Sequence, residues 1–238
     1  MLTSSEIKFL RSLSQKKSRD ENYMFAVEGE KLVEEALKSD FEVVKVLRTK
    51  DIGVKTMERI TLMSTPSPVY ALVKMKDEDP GFSILPDELY LALDSVKDPG
   101  NMGTILRIAE WFGIRAIIAS KGSVELYNPK VVHSSMGSIF RMKVIYCDLE
   151  PFLAGIKGKT TVYGTYPQAP SIYSQKREKG ALILMGGESD GISPDLEKYI
   201  ERRVSIPPYS KESTNHPESL NVAVATALIC SEFRRPSV

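Results

Sequence analysis

From Leu89 onward the chain alternates short apolar runs with stretches of helical length, and this constrains its fold more than any other feature. The runs are LYLALD (89–94), RAIIAS (115–120), RMKVIY (141–146), TTVYGT (160–165), ALILMG (181–186) and RRVSIP (202–207). Most are apolar along their whole length, not at every second residue, as expected of strands covered on both faces. Strands that alternate with helices imply a parallel sheet with helices packed on it. The first of these helices is expected from about Asn101 to Phe112. It carries Ile105, Ile108, Ala109 and Phe112 on one face, and Gly113 is its stop signal.

The segment before this pattern is different. Lys74 to Glu88 is charged, contains Pro80, Gly81 and Pro86, and marks a boundary. The division is therefore a small α/β domain at 1–75, a linker at 76–88 and a larger α/β domain at 89–238. Within the small domain, Leu32, Val33, Ala36 and Leu37 predict a helix. Residues 41–49 and 59–65 read as strands, and Ser67 to Met75 reads as a helix behind two prolines. At the other end, Ser219 to Phe233 predicts a helix with almost no polar face. Such a helix is buried on more than one side, and a second chain is a natural cover.

Composition narrows the class. Hydrophobic residues make up 42% of the 238 and charged residues 26%, an ordinary globular balance. No apolar run approaches the ~20 residues of a membrane helix. The N-terminal segment lacks a signal-peptide core, so a cytoplasmic protein without membrane attachment is expected. Cys147 and Cys230 read as free thiols, and His133 and His216 share no ligand spacing with them, so no metal site is expected. A net charge of +1 does not itself suggest nucleic acid. Its distribution is more informative. Lys8, Arg11, Lys16, Lys17 and Arg19 face a single acid, Glu6, within residues 1–19. Such a run is either a solvated helix face or a site that neutralises a few phosphates.

Three segments, each following a strand, combine residues able to do chemistry. In the first, Asp98-Pro99-Gly100-Asn101 is a turn at the carboxyl end of a strand, where open α/β sheets bind ligands. Gly103 and Arg107 share a helix face away from the apolar stripe. Arg107 either points into a site or pairs with Glu110 on the surface. In the second, Gly186-Gly187, Glu188 and Gly191 follow a strand; paired glycines permit a tight turn and a close approach to a ligand. The segment is neither a dinucleotide fingerprint nor a P-loop. In the third, Ile206-Pro207 ends a strand, a polar loop follows at 208–218, and Ser219-Leu220-Asn221 opens the last helix. Ser219 fits a helix cap, and the amide of Asn221 beside an apolar helix needs a partner.

Taken together, these segments resemble the SpoU/TrmH-type RNA 2'-O-ribose methyltransferases of the SPOUT superfamily. Those enzymes carry N-x-G-x-x-x-R, then G-x-E-x-x-G, then I-P followed by S-L-N. Here the matching residues are Asn101, Gly103 and Arg107, then Gly186, Glu188 and Gly191, then Ile206, Pro207, Ser219, Leu220 and Asn221. The match spans 89–233. Arg19, Phe25 and Glu28-Gly29 resemble the family's small substrate-binding domain less specifically. The loop 208–218 is longer than the family usually has.

The resemblance implies a parallel-sheet SPOUT catalytic domain with a deep trefoil knot near its C-terminus. Knots are close to forbidden by general topology rules, so only the family match licenses this one. It further implies a homodimer, and S-adenosylmethionine held by backbone groups at Thr165, Gly186, Gly187, Gly191, Ile206, Pro207 and Leu220, with no metal. Arg107, Asn101, Glu188, Ser219 and Asn221 are implied as the catalytic set, and Arg11, Lys16, Lys17 and Arg19 are the candidate RNA contacts. Arg107 is the family's usual base. A neutral arginine side chain is costly, which leaves a phosphate-binding, charge-stabilising role as the alternative. The small domain points to ribosomal RNA, with transfer RNA as the other substrate. Two rivals remain: an inactive RNA-binding or ribosome-assembly protein of the same fold, and a nucleotide-binding oxidoreductase, which lacks its glycine fingerprint here.

Overall fold

The computed structural model describes residues 2–76, 82–209 and 218–236. The core of the expected linker (77–81), most of the long loop (210–217) and His216 lie outside the described residues. The chain divides into two units, residues 1–77 with 125–141 and residues 78–124 with 142–238.

The first unit opens with α1 (Ser4–Ser12), whose start is fixed by a capping box. The Glu6 amide donates to Thr3 Oγ1 at 3.2 Å and the Thr3 amide donates to Glu6 Oε2 at 2.8 Å. Next come α2 (Lys16–Asn22), β1 (Met24–Glu28), α3 (Glu30–Lys38), β2 (Val43–Arg48), the single turn α4 (Thr49–Ile52), α5 (Val54–Ile60) and β3 (Val69–Lys74). The three strands form an antiparallel sheet in the order β1-β3-β2.

Two sequence expectations are corrected here. Residues 67–75 are not a helix; they contain β3, the central strand. Its side chains alternate between two cores. Val69, Ala71 and Val73 pack with Leu32, Val33 and Ala36 of α3 on one face. Tyr70 and Leu72 pack with Ile7 and Leu10 of α1 and Met57 and Ile60 of α5 on the other. A strand buried on both sides presents a continuous apolar run, which periodicity cannot tell from a short buried helix. Residues 59–65 are not a strand either. Arg59 and Ile60 end α5. Thr61 Oγ1 and the Leu62 amide then donate to the buried Glu28 carboxylate, whose pKa burial pushes upward.

Residues 125–141, which the sequence division places in the large domain, complete the first unit. They hold a helix α7 (Pro129–Ser134, numbered in chain order) and supply Val132, Ile139 and Phe140 to the α3-side core. Glu125 of this segment pairs with Arg19, which is only 1% exposed; Arg19 also donates to the Leu13 carbonyl at 2.6 Å.

The second unit contains β4 (Leu89–Asp94), α6 (Pro99–Trp111), β5 (Ile117–Ser120), β6 (Val144–Cys147), α8 (Leu149–Ile156), β7 (Thr161–Thr165), β8 (Ala181–Gly186), β9 (Arg202–Val204) and α9 (Val222–Arg234). All six strands are parallel, in the order β6-β5-β4-β8-β7-β9. Each matches one of the apolar runs read from the sequence. Tyr90, Ala92, Ile118, Leu182 and Leu184 pack against Leu149, Leu153 and Ile156 of α8. The alternate residues Leu91, Leu93, Ile183 and Met185 are equally buried and point to the opposite face, where α9 packs against β8 and α6. The order reverses at β4 and β8, and ligands of open parallel sheets bind at the carboxyl end of such a switch point. There Asp94 stands directly opposite Gly186.

Burying Arg19 is tolerable only because its charge and its donors are matched. Arg19→Met is expected to lower unfolding free energy by about 3 kcal/mol, because Glu125 is left largely buried and unpaired. Adding Glu125→Leu should recover most of that loss. Urea unfolding of both variants checks this, and a single variant as stable as wild type would deny the pair its structural role.

Candidate functional site

The site begins where β4 ends. Asp94 is buried and its Oδ2 accepts the Ser193 amide at 2.7 Å, tying the end of β4 to the segment after β8. Ser95 turns the chain with φ 59° and donates its amide to Ser120 Oγ at 2.8 Å. Asp98 then caps α6 by accepting the Asn101 amide at 2.8 Å, with Pro99 following in the first turn.

The end of β8 crosses this turn closely. A Cβ on Gly187 would lie 2.5 Å from the Ser95 carbonyl oxygen, and one on Gly186 would lie 2.2 Å from the Gly191 carbonyl carbon. Gly187 and Gly191 exchange backbone hydrogen bonds at 3.1 Å each way, and Gly191 has φ +68°. The sequence reading gave these glycines to a ligand's close approach. The structure shows that the protein's own backbone already requires those at 186 and 187.

That crossing delivers Glu188 to the start of α6. Its carboxylate accepts the backbone amides of Lys97 at 3.3 Å and Asp98 at 3.4 Å, and Asn101 Nδ2 at 2.8 Å. Burial opposes its charge, yet the hydrogen bonds from Asn101 and these amides outweigh it and hold the carboxyl below the ordinary glutamate range. Asn101 Oδ1 in turn accepts Asn221 Nδ2 at 2.9 Å. Asn221 is the cap of α9, its Oδ1 accepting the amides of Ala223 at 2.9 Å and Val224 at 3.3 Å. The cap therefore sets the orientation of both amides. Asn221 must present its oxygen to the helix, so its nitrogen faces Asn101, and Asn101 turns its nitrogen to Glu188.

The structure thus joins three of the five candidate catalytic residues, Asn101, Glu188 and Asn221. Arg107 lies exposed on α6 while Gly103 is buried. Among the described residues Arg107 makes no hydrogen bond or ion pair, so the pairing with Glu110 that the spacing allows is not formed. Ser219 is exposed and does not cap the last helix, which starts three residues later than expected. Thr165 ends β7, and its Oγ1 donates to the Leu184 carbonyl at 3.0 Å. Ile206 is half-buried, Pro207 is exposed, and Leu220 is 49% exposed.

The basic run at the N-terminus is only partly a surface feature. Arg11, Lys16 and Lys17 are exposed, whereas Arg19 is committed to Glu125 in the interior and is withdrawn from the candidate RNA contacts. Sequence reasoning missed Asp94 and Lys97. An acid at the end of a wholly apolar strand was the signal for Asp94; Lys97 acts through its backbone amide and leaves none.

The profile of the SpoU rRNA Methylase family matches residues 88–231, more than half of the chain. The chain belongs to the SpoU rRNA methylase family. The MRM3-like substrate binding domain matches residues 4–72. Across 96% of both chains, the protein is 29% identical to the 23S rRNA (guanosine(2553)-2'-O)-methyltransferase RlmP of Bacillus subtilis. A TrmH-family protein from Porphyromonas gingivalis has 36% identity and a TM-score of 0.86 over 100% of both chains. An AdoMet-bound rRNA methyltransferase from Sinorhizobium meliloti has 28% identity and a TM-score of 0.85, covering 98% of this chain and 95% of that one.

The amide orientations make a separable test. Asn221→Asp keeps the cap on α9 but cannot donate to Asn101. Thermal stability is expected to stay within about 1 kcal/mol of wild type. RNA methylation is expected to fall at least tenfold, because Asn101 loses the donor that orients it. Melting curves measured beside methyl-transfer rates check this; wild-type rates would show that the order of amides is irrelevant.

Proposed function

We propose that this protein transfers the methyl group of S-adenosylmethionine to a ribose 2'-hydroxyl of ribosomal RNA. The observation that carries this reading is the Asn221–Asn101–Glu188 chain of hydrogen bonds at the β4–β8 switch point, on the helix that also presents Arg107, whose side chain has no partner among the described residues. The RlmP and Sinorhizobium relatives support both the chemistry and the ribosomal substrate.

The residues present fit the methyl donor. Thr165, Gly186 and Ile206 stand at or just beyond the carboxyl ends of three adjacent strands, β7, β8 and β9. Leu220 leaves half its surface open immediately before Asn221, and with Ile206 it offers apolar cover of the kind an adenine takes. Backbone at Gly187, Gly191 and Pro207 completes the proposed pocket. When bound, S-adenosylmethionine supplies an electrophilic sulfonium methyl group. Displacement there forms the ribose O–CH3 bond as the S–CH3 bond breaks, and the hydroxyl proton leaves to solvent; this chemistry calls for no metal.

The protein's part is positioning and charge. The Arg107 guanidinium binds the phosphate beside the target ribose and donates to the 2'-oxygen as negative charge develops. Asn101, Glu188 and Asn221 fix the start of α6 and hence the helix that carries Arg107, and Ser219 is exposed two residues before Asn221. The first unit, residues 1–77 completed by 125–141, binds RNA, and the second unit, residues 78–124 with 142–238, carries the catalytic site. A trefoil knot belongs to this reading. It is supported by the return of the chain from edge strand β9 to α9, which packs back on β8 and α6. No described helix is long and apolar enough to cross a membrane, and a cytoplasmic setting accords with an RNA substrate. A homodimer is supported by Val224 and Leu228, 49% and 39% exposed one turn apart on α9, and by Trp111, 84% exposed on α6.

Arg107→Ala is expected to cut single-turnover methylation by ~10²–10³, the usual cost of one charge-stabilising contact. Cofactor affinity by calorimetry should hold, and stability should change by no more than about 0.5 kcal/mol. Arg107→Lys separates bare charge from forked geometry. Near-wild-type turnover in Arg107→Ala would remove Arg107 from the mechanism. For the dimer, sedimentation of wild type should show twice the 26.5 kDa chain mass. Val224→Glu with Leu228→Glu should yield monomers. A wild-type monomer at micromolar concentration would defeat the dimer.

A further inference from the structure

The first unit carries a surface groove of about 700 Å³ between α1 and α5 that no part of the catalytic reading uses. Lys8 and Arg11 line it from α1, Arg59 and Glu58 from α5, and Ser14 and Gln15 from the turn after α1. Three cations face one carboxylate, a local excess of +2 in a chain whose net charge is +1. Among the described residues neither Lys8 nor Arg59 has an acidic partner. Arg11 donates through Nη1 to the Thr61 carbonyl at the end of α5. That bond ties one wall to the other and leaves its remaining N–H groups available.

The neighbouring helix α2, though richer in lysine, is electrostatically spent. Lys16 pairs with Asp20 at 2.5 Å, Lys17 with Glu21 at 3.8 Å, and Arg19 is interior. The free positive charge of this region therefore lies in the groove, on Lys8 and Arg11 of the basic run and on Arg59 of α5, and not on α2.

We propose that the α1–α5 groove is a docking track for the phosphate backbone of the substrate RNA, an inference that rests on the RNA-methylating reading above. Phosphate contacts need only cations and hydrogen-bond donors at a rail of roughly backbone width, and they carry no base preference. A peptide would need apolar sockets for anchoring side chains. Here the apolar lining is Ile7 alone, and it is itself buried. Lys8 and Arg59 supply the charge from the two walls, and Arg11 stands pre-organised between them.

The test uses the full-length protein, deproteinised 23S ribosomal RNA and binding measured across a salt series. Lys8→Gln with Arg59→Gln should weaken binding on the order of tenfold at low salt. It should also reduce the slope of log affinity against log salt by ~1.5, because two phosphate neutralisations are lost. Lys16→Gln with Lys17→Gln should move the slope by less than half as much. Turnover at saturating RNA should survive in both variants, with KM for RNA rising in the first. An unchanged slope in the Lys8/Arg59 variant overturns the groove while leaving RNA methylation standing. Competition by polyglutamate as effective as competition by RNA makes the groove an acidic-protein site and overturns it too. Failure of wild type to bind or methylate RNA at any salt removes the substrate reading itself, and the groove with it.

Discussion

The donor direction that starts at the cap of α9 is the constraint on which the candidate site depends. An asparagine at a helix start has one oxygen to give, and the amides of Ala223 and Val224 take it. Everything downstream follows from that assignment: the nitrogen of Asn221 to the oxygen of Asn101, and the nitrogen of Asn101 to the carboxylate of Glu188. The partners are 120 and 87 residues apart, so the chain of bonds fastens the ends of β4 and β8 to the start of the last helix. It ends on a charge whose remaining partners are amides at the start of α6, where the helix dipole also favours a negative group. Removing any member strands a donor or an acceptor at the others.

The same economy explains how the Arg107 side chain is left without a partner among the described residues. The helix that carries it is secured elsewhere. Asp98 caps its first turn, and at its far end Arg234 of α9 donates to the Phe112 carbonyl at 2.7 Å and the Gly113 carbonyl at 2.6 Å. Those two carbonyls end α6 and would otherwise need water. Since α9 meets α6 at both starts and both ends, the two helices run side by side in the same direction. A cation on a helix so fixed is ready to meet an incoming anion with little ordering cost. The glycines at 186 and 187 serve the fixing, not the meeting, because they let β8 cross the β4 turn at backbone distance.

Legibility in the sequence tracked burial symmetry and sequence distance. The six parallel strands were readable because both their faces are covered, and Gly113, with φ +60°, marked the end of α6. In the first unit the same symmetry misled. VYALVK is buried on both faces yet too short for its period to register, so β3 was read as a helix. β1 (Met24–Glu28) passed unnoticed behind the charged stretch before it. At the site, motif spacing picked out Asn101, Glu188 and Asn221, but not which atom of each amide faces which partner. It also put Ser219 at a cap that Asn221 occupies. Arg19 shows the hardest limit. Within residues 1–19 it is one of five cations, and only Glu125, 106 residues away, turns it into an interior side chain.

That last reversal bears on how a nearly neutral protein holds a polyanion. With Arg19 buried and Lys16 and Lys17 matched by Asp20 and Glu21, the α2 part of the sequence's basic run contributes little field beyond its own helix. What remains must act over short range, through cations that make no ion pair among the described residues, such as Lys8 and Arg59 in the first unit and Arg107 in the second. The division is physically sensible for a reaction whose chemistry is carried by positioning. Contacts made equally in ground and transition states supply binding energy alone, while a contact made as charge develops on the 2'-oxygen raises the rate. An enzyme that placed all its cations at the reacting centre would bind RNA tightly and gain nothing in turnover from the excess. Separate sets let salt weaken capture without touching the chemical step, which is why the salt slope and the saturated rate report on different residues.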